Sequence, residues 1–386
     1  MNFQLSEEAI MIRDCVRDFA ESVIKPRARE LDEKEEFSPE ITKQMGDLGL
    51  LGFIIPEKYG GNGIGYLPYI VAVEEMATVD GSHAATLAAH NSLGTGPIYY
   101  FGNEEQKMEY LPRLCTGDKL WGFGLTEPEA GSDAGGTKTK AVEENGQWII
   151  NGSKIFITNG SSEISLGVTA QVVTGIRKDG KKEYSCFLVD SGLPGFTAKT
   201  MHDKMMWRAS ITSELFFDDC KVPESKMLGK RGEGFRQMLL TLDRGRLSIA
   251  AMALGCAQGA YNLAIKYAKE RKQFGKQIST FQANAFKLAD MATEIEAARM
   301  LLYKAAWLCD QKSDYRKYAT MAKLYCSEVA YRCVNHAVQL HGGYGLMKDY
   351  DIERFYRDQK ILEIGEGTSE ILRFIISRYI GCYDSK

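Results

Sequence analysis

The sequence lacks the features that mark several large classes of protein. Its net charge is only -3, so it has no basic excess of the kind that binds nucleic acid or an anionic membrane surface. No segment approaches the ~18 consecutive apolar residues that a membrane span needs. The first residues are acidic and amphipathic, unlike a signal peptide or an Arg-rich transit peptide. We therefore expect no nucleic acid partner, no membrane span, and a bacterial cytoplasm rather than a mitochondrial matrix.

Cysteine and histidine patterns that build metal sites are also missing. The nine cysteines are scattered, odd in number and never spaced as Cys-x-x-Cys, and the five histidines include no His-Glu-x-x-His. A disulfide framework and a zinc site are therefore poorly supported, and free thiols in a reducing cytoplasm fit better. We expect no metal ion.

Three common sequence signatures are absent as well. No Gly-x-Gly-x-x-Gly follows a predicted strand, which argues against a nicotinamide-binding Rossmann domain. Neither a Walker A sequence nor a Gly-x-Ser-x-Gly elbow occurs, so a P-loop nucleotide hydrolase and an α/β-hydrolase are poorly supported.

The residues that are present divide the chain into three parts. At 386 residues it exceeds the ~250–300 that one hydrophobic core usually serves. Apolar residues recur at helical spacing up to about residue 120 and again from about Gly232, whereas short β-like runs lie between. We predict an α+β fold with a helical domain (1–120), an antiparallel β-barrel or sandwich (121–230) and a second helical domain (231–386).

The expected elements follow from these patterns and from glycine, proline and Asn-Gly punctuation. The predicted helices are Ser6–Leu31, Ser38–Leu48, Leu67–Val79, Asn103–Leu114, Phe235–Lys269, Thr280–Gln311, Ser313–Leu340 and Ile352–Leu362. The predicted strands are Leu120–Leu125, Thr137–Val142, Gln147–Ile150, Lys154–Thr158, Leu166–Val173, Tyr184–Val189, Phe196–Thr200 and Ile211–Val222, with turns at Asn145-Gly146, Asn151-Gly152 and Asn159-Gly160.

The most informative segment is Gly365-Glu366-Gly367-Thr368-Ser369-Glu370. Thr368 and Ser369 are good N-caps for a helix that follows, and the flanking glycines allow a ligand to approach closely. Glu366 is therefore a candidate catalytic base. An acidic residue that offsets the dipole of the next helix explains the same pattern equally well.

Four other segments suit a polar ligand, although each also has an ordinary structural explanation. Phe123–Gly136 combines hydroxyls and glycines after a predicted strand, and Lys154–Gly160 places Phe156 and Thr158 on one strand face. Glu270–Lys276 offers cations for phosphates, and Gln339–Gly345 offers glycines that admit a cofactor backbone. A glycine-rich turn, sheet alternation, a solvated basic loop and a helix C-cap are the respective alternatives.

Six motifs in this order resemble the acyl-CoA dehydrogenase family of flavoenzymes over essentially the whole chain. They are Leu125-Thr126-Glu127-Pro128-x-Ala130-Gly131-Ser132-Asp133, Asn151-Gly152-x-Lys154-x-x-Ile157-Thr158-Asn159, Glu270-Arg271-x-x-Phe274-Gly275-Lys276, Gln339-x-x-Gly342-Gly343-x-Gly345, Arg357-Asp358 and Glu366-Gly367-Thr368-Ser369-Glu370. The resemblance implies helical, β and four-helix-bundle-type domains, FAD between the β domain and the C-terminal helices, and a homotetramer built as a dimer of dimers.

The resemblance also implies roles for individual residues. The expected FAD contacts are Phe123, Leu125, Thr126, Ser132, Phe156, Thr158, Arg271, Phe274, Gln282, Gln339, Gly342, Gly343, Thr368 and Glu370. The expected substrate contacts are Ser132, Asn91, Asp243, Gly245, Arg246, Gly365 and Gly367. Glu366 matches the base that removes the α-proton of an acyl-CoA thioester while flavin N5 takes the β-hydride. Electrons then pass to electron-transferring flavoprotein.

Departures from the family pattern bear on the substrate. Gly365 stands where tyrosine is common, and Gly245 stands where some relatives carry the base. Both glycines predict extra volume near the α-carbon, which favours a short, branched or alicyclic acyl group such as cyclohexane-1-carboxyl-CoA. Phe156 replaces a common tryptophan and Met206 a common glycine. An enoyl-CoA reductase on the same scaffold and a non-catalytic scaffold protein remain alternatives.

Overall fold

The computed structural model describes residues 4–383. Residues 1–3 of the predicted domain 1–120 and residues 384–386 of the predicted domain 231–386 lie outside the described chain. The elements run helical, β and helical in that order, with the strands of the main sheet between Leu120 and Leu228. These bounds support our proposed divisions near residues 120 and 230.

Seven α-helices form the N-terminal part. They are α1 (Glu7–Phe19), α2 (Lys25–Lys34), α3 (Pro39–Asp47), α4 (Tyr66–Ala77), α5 (Gly81–Ala89), α6 (Gly96–Phe101) and α7 (Glu104–Leu114). Ser6, Ser38 and Asn103, the first residues of three predicted helices, each cap a helix by accepting a backbone N–H in the first turn. The predicted helix Ser6–Leu31 is not continuous, because a π-helical segment at Ala20–Ile24 precedes Pro26 of α2.

Helices α5 and α6 were not predicted. Nearly every residue of α5 is buried, so its sequence shows no polar face and no helical period. A second π-helical segment, His90–Thr95, joins the two helices. Such segments often occur at functional sites, because the extra residue changes the direction of the side chains.

The middle part is a β domain, as predicted, and its strands form one eight-stranded sheet that is mixed rather than wholly antiparallel. Its strands are β1 (Leu120–Gly124), β2 (Lys140–Glu144), β3 (Gln147–Thr158), β4 (Ser165–Ile176), β5 (Lys182–Asp190), β6 (Phe196–Thr200), β7 (Thr212–Pro223) and β8 (Met227–Leu228). The order is β6-β7-β3-β2-β4-β5-β8, and β1 pairs with β4. Both β1 and β2 run parallel to β4, so the antiparallel expectation is wrong there.

The predicted turn at Asn151-Gly152 is also wrong. Both residues lie inside β3, opposite a bulge in β7, and the Asn151 amide exchanges hydrogen bonds with Asp219. In contrast, Asn145 and Gly146 form the predicted hairpin turn between β2 and β3, with φ values of 51° and 75°. An Asn-Gly pair therefore does not distinguish a hairpin turn from a bulged strand.

The C-terminal part contains five helices and a short hairpin. These are α8 (Gly234–Glu270), β9 (Lys272–Gln273), β10 (Lys276–Gln277), α9 (Gln282–Asp310), α10 (Arg316–His341), α11 (Ile352–Leu362) and α12 (Ser369–Tyr379). Helix α8 is long and apolar enough to cross a membrane, but 72% of its most apolar window is buried inside the protein. It is thus placed as the core helix of the bundle.

The hydrophobic core does not follow the three-part division. One cluster joins the N-terminal and C-terminal helices, including Val73 of α4, Ala250 of α8 and Ala298 of α9, and it extends to Phe123 and Leu125 beside β1. A separate cluster fills the β domain. Strand β1 therefore lies at the junction of all three parts.

A buried ion pair fixes the loop that follows β1. Lys154 Nζ lies 2.7 Å from Glu127 Oε1 and also donates to the Leu125 carbonyl at 3.1 Å. Glu127 accepts the backbone N–H groups of Lys138 and Thr139 as well. Burial opposes ionisation of this carboxylate, but Lys154 and these donors leave its pKa below the usual range. The pair joins two motifs that are separate in the sequence.

We expect Lys154→Met to lower the free energy of unfolding by about 3–5 kcal/mol, because the Glu127 charge would be buried without its partner. Denaturant unfolding of the holoenzyme measures this change. Lys138→Met is the matched control, since the Lys138–Glu129 pair is 70% exposed on both sides and such pairs contribute about 0–1 kcal/mol. Equal losses in the two variants would contradict a structural role for the buried pair.

Candidate functional site

The loop between α11 and α12 holds Glu366 in an unusual backbone conformation. Its φ is 54°, and that of Gly367 is 109°, so two consecutive residues lie outside the regions that most side chains prefer. Gly365 donates to the Ile361 carbonyl at 2.8 Å on one side of the turn. On the other side Thr368 caps α12 as predicted, accepting the Ile371 N–H at 3.3 Å. Both helix ends therefore fix the turn that carries the carboxylate.

The Glu366 carboxylate lies directly over Gly245 of α8. A Cβ atom at residue 245 would collide with Oε2 of Glu366 and approach Leu93 Cδ2 to 3.1 Å. The volume that Gly245 leaves is therefore occupied by the Glu366 carboxylate and by Leu93, and it is not free for an acyl group. The expectation that Gly245 enlarges the acyl pocket is wrong for this reason.

Burial dominates the electrostatics of this carboxylate. Glu366 Oε2 is buried and has no hydrogen-bond partner among the described residues. Burial raises the pKa of Glu366 to about 7, although Lys323 and Arg246 act in the opposite direction. Desolvation therefore outweighs both cations.

Polar groups of α8, α4 and the π-helical segment lie in the region around Gly245. Arg246 pairs with Asp243 at 2.6 Å on α8. Ser248 Oγ donates to the Gly245 carbonyl at 2.8 Å and lies 3.2 Å from Ser92 Oγ. Tyr69 of α4 donates to the Ala88 carbonyl at 2.8 Å. The sequence motifs did not identify Tyr69, Ser92 or Ser248.

Asn91 is not placed to bind substrate. Its side chain is 0% exposed. The amide donates to the carbonyls of Leu50 and Leu87, and its oxygen accepts the Phe53 N–H at 3.2 Å. Three backbone groups therefore use the side chain, which holds the π-helical segment in place. The neighbouring Leu93 of this segment lies beside Gly245, next to the Glu366 carboxylate.

The predicted flavin residues of the β domain lie on and beside β1 and β3. Phe123 and Leu125 are buried, whereas Ser132 is exposed and Thr126 partly buried. Phe156 sits at a bulge in β3 with φ 62°, and 62% of its side chain is exposed.

Phe156 and Thr158 share a face, since the residue between them, Ile157, points into the core. An exposed aromatic ring in a strained backbone conformation indicates a surface that is covered by a ligand.

The other predicted cofactor residues are spread over the outer face of the C-terminal helices. Arg271, Gly342 and Gly343 line one cleft of about 480 Å³ together with Tyr344. Phe274 is not in this cleft; it is 94% exposed at the tip of the β9–β10 hairpin. The remaining residues, Gln282, Gln339 and Glu370, are exposed and Thr368 is partly buried.

Two glycines show that these surfaces suit an additional bound group. A Cβ at Gly131 or Gly343 would meet nothing within 4 Å, and neither residue has a positive φ that demands glycine. The fold of one chain therefore does not require glycine at either position. Space beside exposed hydroxyls, amide groups and Arg271 fits a large planar, anionic cofactor such as FAD.

Lys323 also lies close to the Glu366 turn, although it belongs to none of the six sequence motifs. It lies on α10, fully buried, and its ammonium donates to the Gly367 carbonyl at 2.7 Å. The sequence does contain a signal for it: Lys323 falls on the same stripe as the buried Ala319, Cys326 and Ala330. A lone lysine on an apolar helix face needs a buried partner.

Comparisons with known proteins agree over the whole chain. Residues 6–118 match the family model for the acyl-CoA dehydrogenase N-terminal domain. Residues 122–220 match that for the middle domain, and residues 232–381 match that for the C-terminal domain. FAD is the cofactor of this family.

Individual relatives agree as well. The short-chain specific acyl-CoA dehydrogenase of Clostridium acetobutylicum is 47% identical over 377 residues, which cover 98% of this chain and 99% of that protein. The caffeyl-CoA reductase-Etf complex subunit CarC of Acetobacterium woodii is 43% identical over 96% of this chain and 98% of its own. The structure of butyryl-CoA dehydrogenase from Megasphaera elsdenii superimposes with a TM-score of 0.95 at 41% identity, covering 98% and 100% of the two chains. The chain is therefore an oxidoreductase that belongs to the acyl-CoA dehydrogenase family.

Proposed function

We propose that this enzyme oxidises a short, branched or alicyclic acyl-CoA thioester between its α and β carbons, with Glu366 as the base. The buried, unpartnered Oε2 atom of Glu366 carries the proposal. A carboxylate that is deprived of hydrogen bonds, with a pKa near neutrality, is the arrangement that proton abstraction from carbon requires.

The turn around Glu366 also offers a donor for the thioester oxygen. Among residues 4–383, no acceptor is hydrogen bonded to the backbone N–H of Glu366. The N–H belongs to the residue that carries the carboxylate, in a turn whose two ends are fixed by the Gly365–Ile361 hydrogen bond and by the Thr368 cap. A preorganised N–H at that position stabilises negative charge on the carbonyl oxygen as the α-proton leaves. One residue thus supplies both the base and an oxyanion donor.

The cofactor surfaces described above support FAD as the electron acceptor. Phe123, Leu125, Thr126, Ser132, Phe156 and Thr158 would hold the flavin side, and Arg271, Phe274, Gln282, Gln339, Gly342, Gly343, Thr368 and Glu370 the ADP side. When bound, FAD accepts the β-hydride of the substrate. The 94% exposure of Phe274 supports the proposal that the hairpin contacts FAD of a neighbouring subunit in a homotetramer, a dimer of dimers.

The acyl specificity now rests on Gly365. A Cβ at this residue would meet Ile361 at ordinary contact distances of 3.4–3.8 Å, and its φ is not positive. The backbone therefore tolerates a side chain, and the glycine leaves room that a tyrosine would fill. This room supports a branched or alicyclic group, whereas the similarity to short-chain and butyryl-CoA enzymes supports a small one.

Electron-transferring flavoprotein is the proposed electron acceptor of the reduced enzyme, and the cytoplasm its location. The similarity to a subunit of a reductase-Etf complex supports the partner, and nine free cysteines support a reducing compartment. The same similarity supports a second candidate, reduction of an enoyl-CoA on this scaffold. A non-catalytic scaffold protein would have no use for an unpartnered buried carboxylate.

We expect Glu366→Gln to abolish bleaching of the flavin by acyl-CoA under anaerobic conditions while FAD stays bound. The amide keeps the shape of the side chain but cannot accept the α-proton. Stopped-flow absorbance measures bleaching, and the flavin spectrum of the purified variant measures FAD content. A bleaching rate equal to that of the wild-type enzyme would place the base elsewhere, and a colourless wild-type protein would favour the scaffold alternative.

The bleaching rate at low substrate should rise with pH and level off above a midpoint near 7. The base must be ionised, and burial raises the pKa of Glu366 from 4.5 to about 7. Folding thus favours the neutral form of Glu366. The contribution of this protonated carboxyl to the stability of the folded protein is complete below pH 4.5 and is lost as the pH rises through about 7. Glu366→Gln should accordingly melt at a higher temperature than wild type above neutral pH. A pH-independent difference in melting temperature would contradict a buried titrating carboxylate.

We expect Gly365→Tyr to lower kcat/KM for cyclohexane-1-carboxyl-CoA by about tenfold or more relative to butyryl-CoA. The ring would occupy the room beside the α-carbon, while a straight chain needs less of it. Steady-state rates with both thioesters measure the ratio. If the wild-type enzyme oxidises butyryl-CoA much faster than the alicyclic thioester, the bulky-substrate proposal is wrong. Crotonyl-CoA reduced faster than butyryl-CoA is oxidised would favour the reductase.

A further inference from the structure

Lys323 is a buried cation without an ion-pair partner among the described residues. Its side chain is 0% exposed, in the middle of α10 where this helix packs against α8. No carboxylate oxygen of residues 4–383 lies within 4.0 Å of its ammonium. Its one side-chain hydrogen bond goes to the carbonyl of Gly367, at 2.7 Å. A buried ammonium costs several kcal/mol unless a nearby charge offsets it.

The hydrogen bond reaches the residue that directly follows the base. Glu366 and Gly367 have φ values of 54° and 109°, so the turn depends on contacts from outside to keep its shape. The ammonium of Lys323 fixes the Gly367 carbonyl, and this carbonyl belongs to the peptide that leads into the Thr368 cap of α12. Helix α10 is thereby tied to the turn, and the turn sets the direction of the Glu366 side chain.

The charges of the two buried residues also depend on each other. Burial lowers the pKa of Lys323 to about 8, and Glu366 is the first of the carboxylates that raise it again, before Glu363 and Glu370. Lys323 is likewise the leading cation that lowers the pKa of Glu366. Each group is therefore the main opposite charge that stabilises the ionised form of the other in the protein interior.

Other titratable groups face Glu366 from the elements packed against it. Arg246 of α8 acts in the same direction as Lys323, but it is already paired with Asp243. Tyr69 of α4 is buried, and Glu366 raises its pKa further. The π-helical segment contributes the apolar Leu93. Lys323 is therefore the cation near the base that no carboxylate of the described residues already neutralises.

We propose that Lys323 is the positioning residue of the catalytic base: it anchors the Glu366–Gly367 turn through the Gly367 carbonyl and supplies the positive charge that keeps Glu366 ionised during turnover. This inference rests on the proposed role of Glu366. It requires no covalent step at Lys323, because the ammonium acts through a hydrogen bond and through its field.

The pH dependence of flavin bleaching by butyryl-CoA separates the two actions. Lys323→Met removes both the charge and the donor, so we expect the midpoint to rise by about one pH unit and the plateau rate to fall about tenfold. Lys323→Gln removes the charge but keeps a donor. It should show the raised midpoint with a plateau rate close to that of the wild-type enzyme.

Lys360→Met is the matched control. Lys360 is an exposed lysine at the end of α11 that pairs with Glu363 at 2.9 Å and does not act on Glu366. The charge change is the same, and we expect no shift of the midpoint and no loss of rate. FAD absorbance and melting temperature are recorded for every variant, because a merely structural role would change these without moving the midpoint.

An unchanged midpoint in an FAD-bound Lys323→Met variant would overturn the inference. If that variant does not retain FAD, the midpoint is measured with Lys323→Gln instead. An unchanged midpoint in Lys323→Gln would also overturn the inference. The Glu366→Gln variant distinguishes failure of the proposed role of Glu366 from failure of the proposed role of Lys323. Full bleaching by Glu366→Gln would remove the base and this inference together, whereas an inactive Glu366→Gln with unshifted Lys323 variants would remove this inference alone.

Discussion

Keeping one carboxylate buried and unbonded is the constraint on which the site depends. Glu366 lies against Gly245 of α8, and any larger residue at 245 would collide with its carboxylate. Burying such a charge without hydrogen bonds costs several kcal/mol. Helices α11 and α12 hold the turn in place because they fix both of its ends. Lys323 and Arg246 offset part of the free-energy cost, because they place positive charge near the carboxylate. Helices α8, α10, α11 and α12 are therefore all needed to place one side chain.

The β domain uses the same type of side chain for the opposite purpose. Glu127 is also buried, but it receives two backbone N–H groups and the Lys154 ammonium. Its pKa is lowered, whereas that of Glu366 is raised. The difference lies in the adjacent Lys154 ammonium and in the hydrogen bonds, which together outweigh burial at Glu127 and have no counterpart at Glu366. The paired carboxylate holds the loop after β1 in place, and the unpaired one suits the proposed transfer of a proton.

Local sequence patterns predicted those features that depend on neighbouring residues. The cap Thr368 and the helix starts near Ser6, Ser38 and Asn103 were predicted because a capping side chain bonds a backbone N–H only three residues away in its own helix. Helix α5 was missed because burial on all sides removes its period. The Asn151-Gly152 turn was wrong because a bulge in another strand decides its conformation. The predicted contact of Asn91 with the substrate was wrong because the sequence does not show that its side chain bonds three backbone groups.

Glycines show why the site itself could be predicted only in part. The resemblance located Gly245, Gly365 and Gly343 but could not say what lies beside them. Over Gly245 the Glu366 carboxylate occupies the place of a side chain, so that glycine makes room for the proposed base rather than for the substrate. Beside Gly343 nothing from the chain is present, and the open space suits a cofactor. Gly365 contacts Ile361 alone at ordinary distances, so a larger residue could be accommodated by the fold. The proposed room for a bulky acyl group therefore depends on this position, and we expect a substitution there to change acyl specificity.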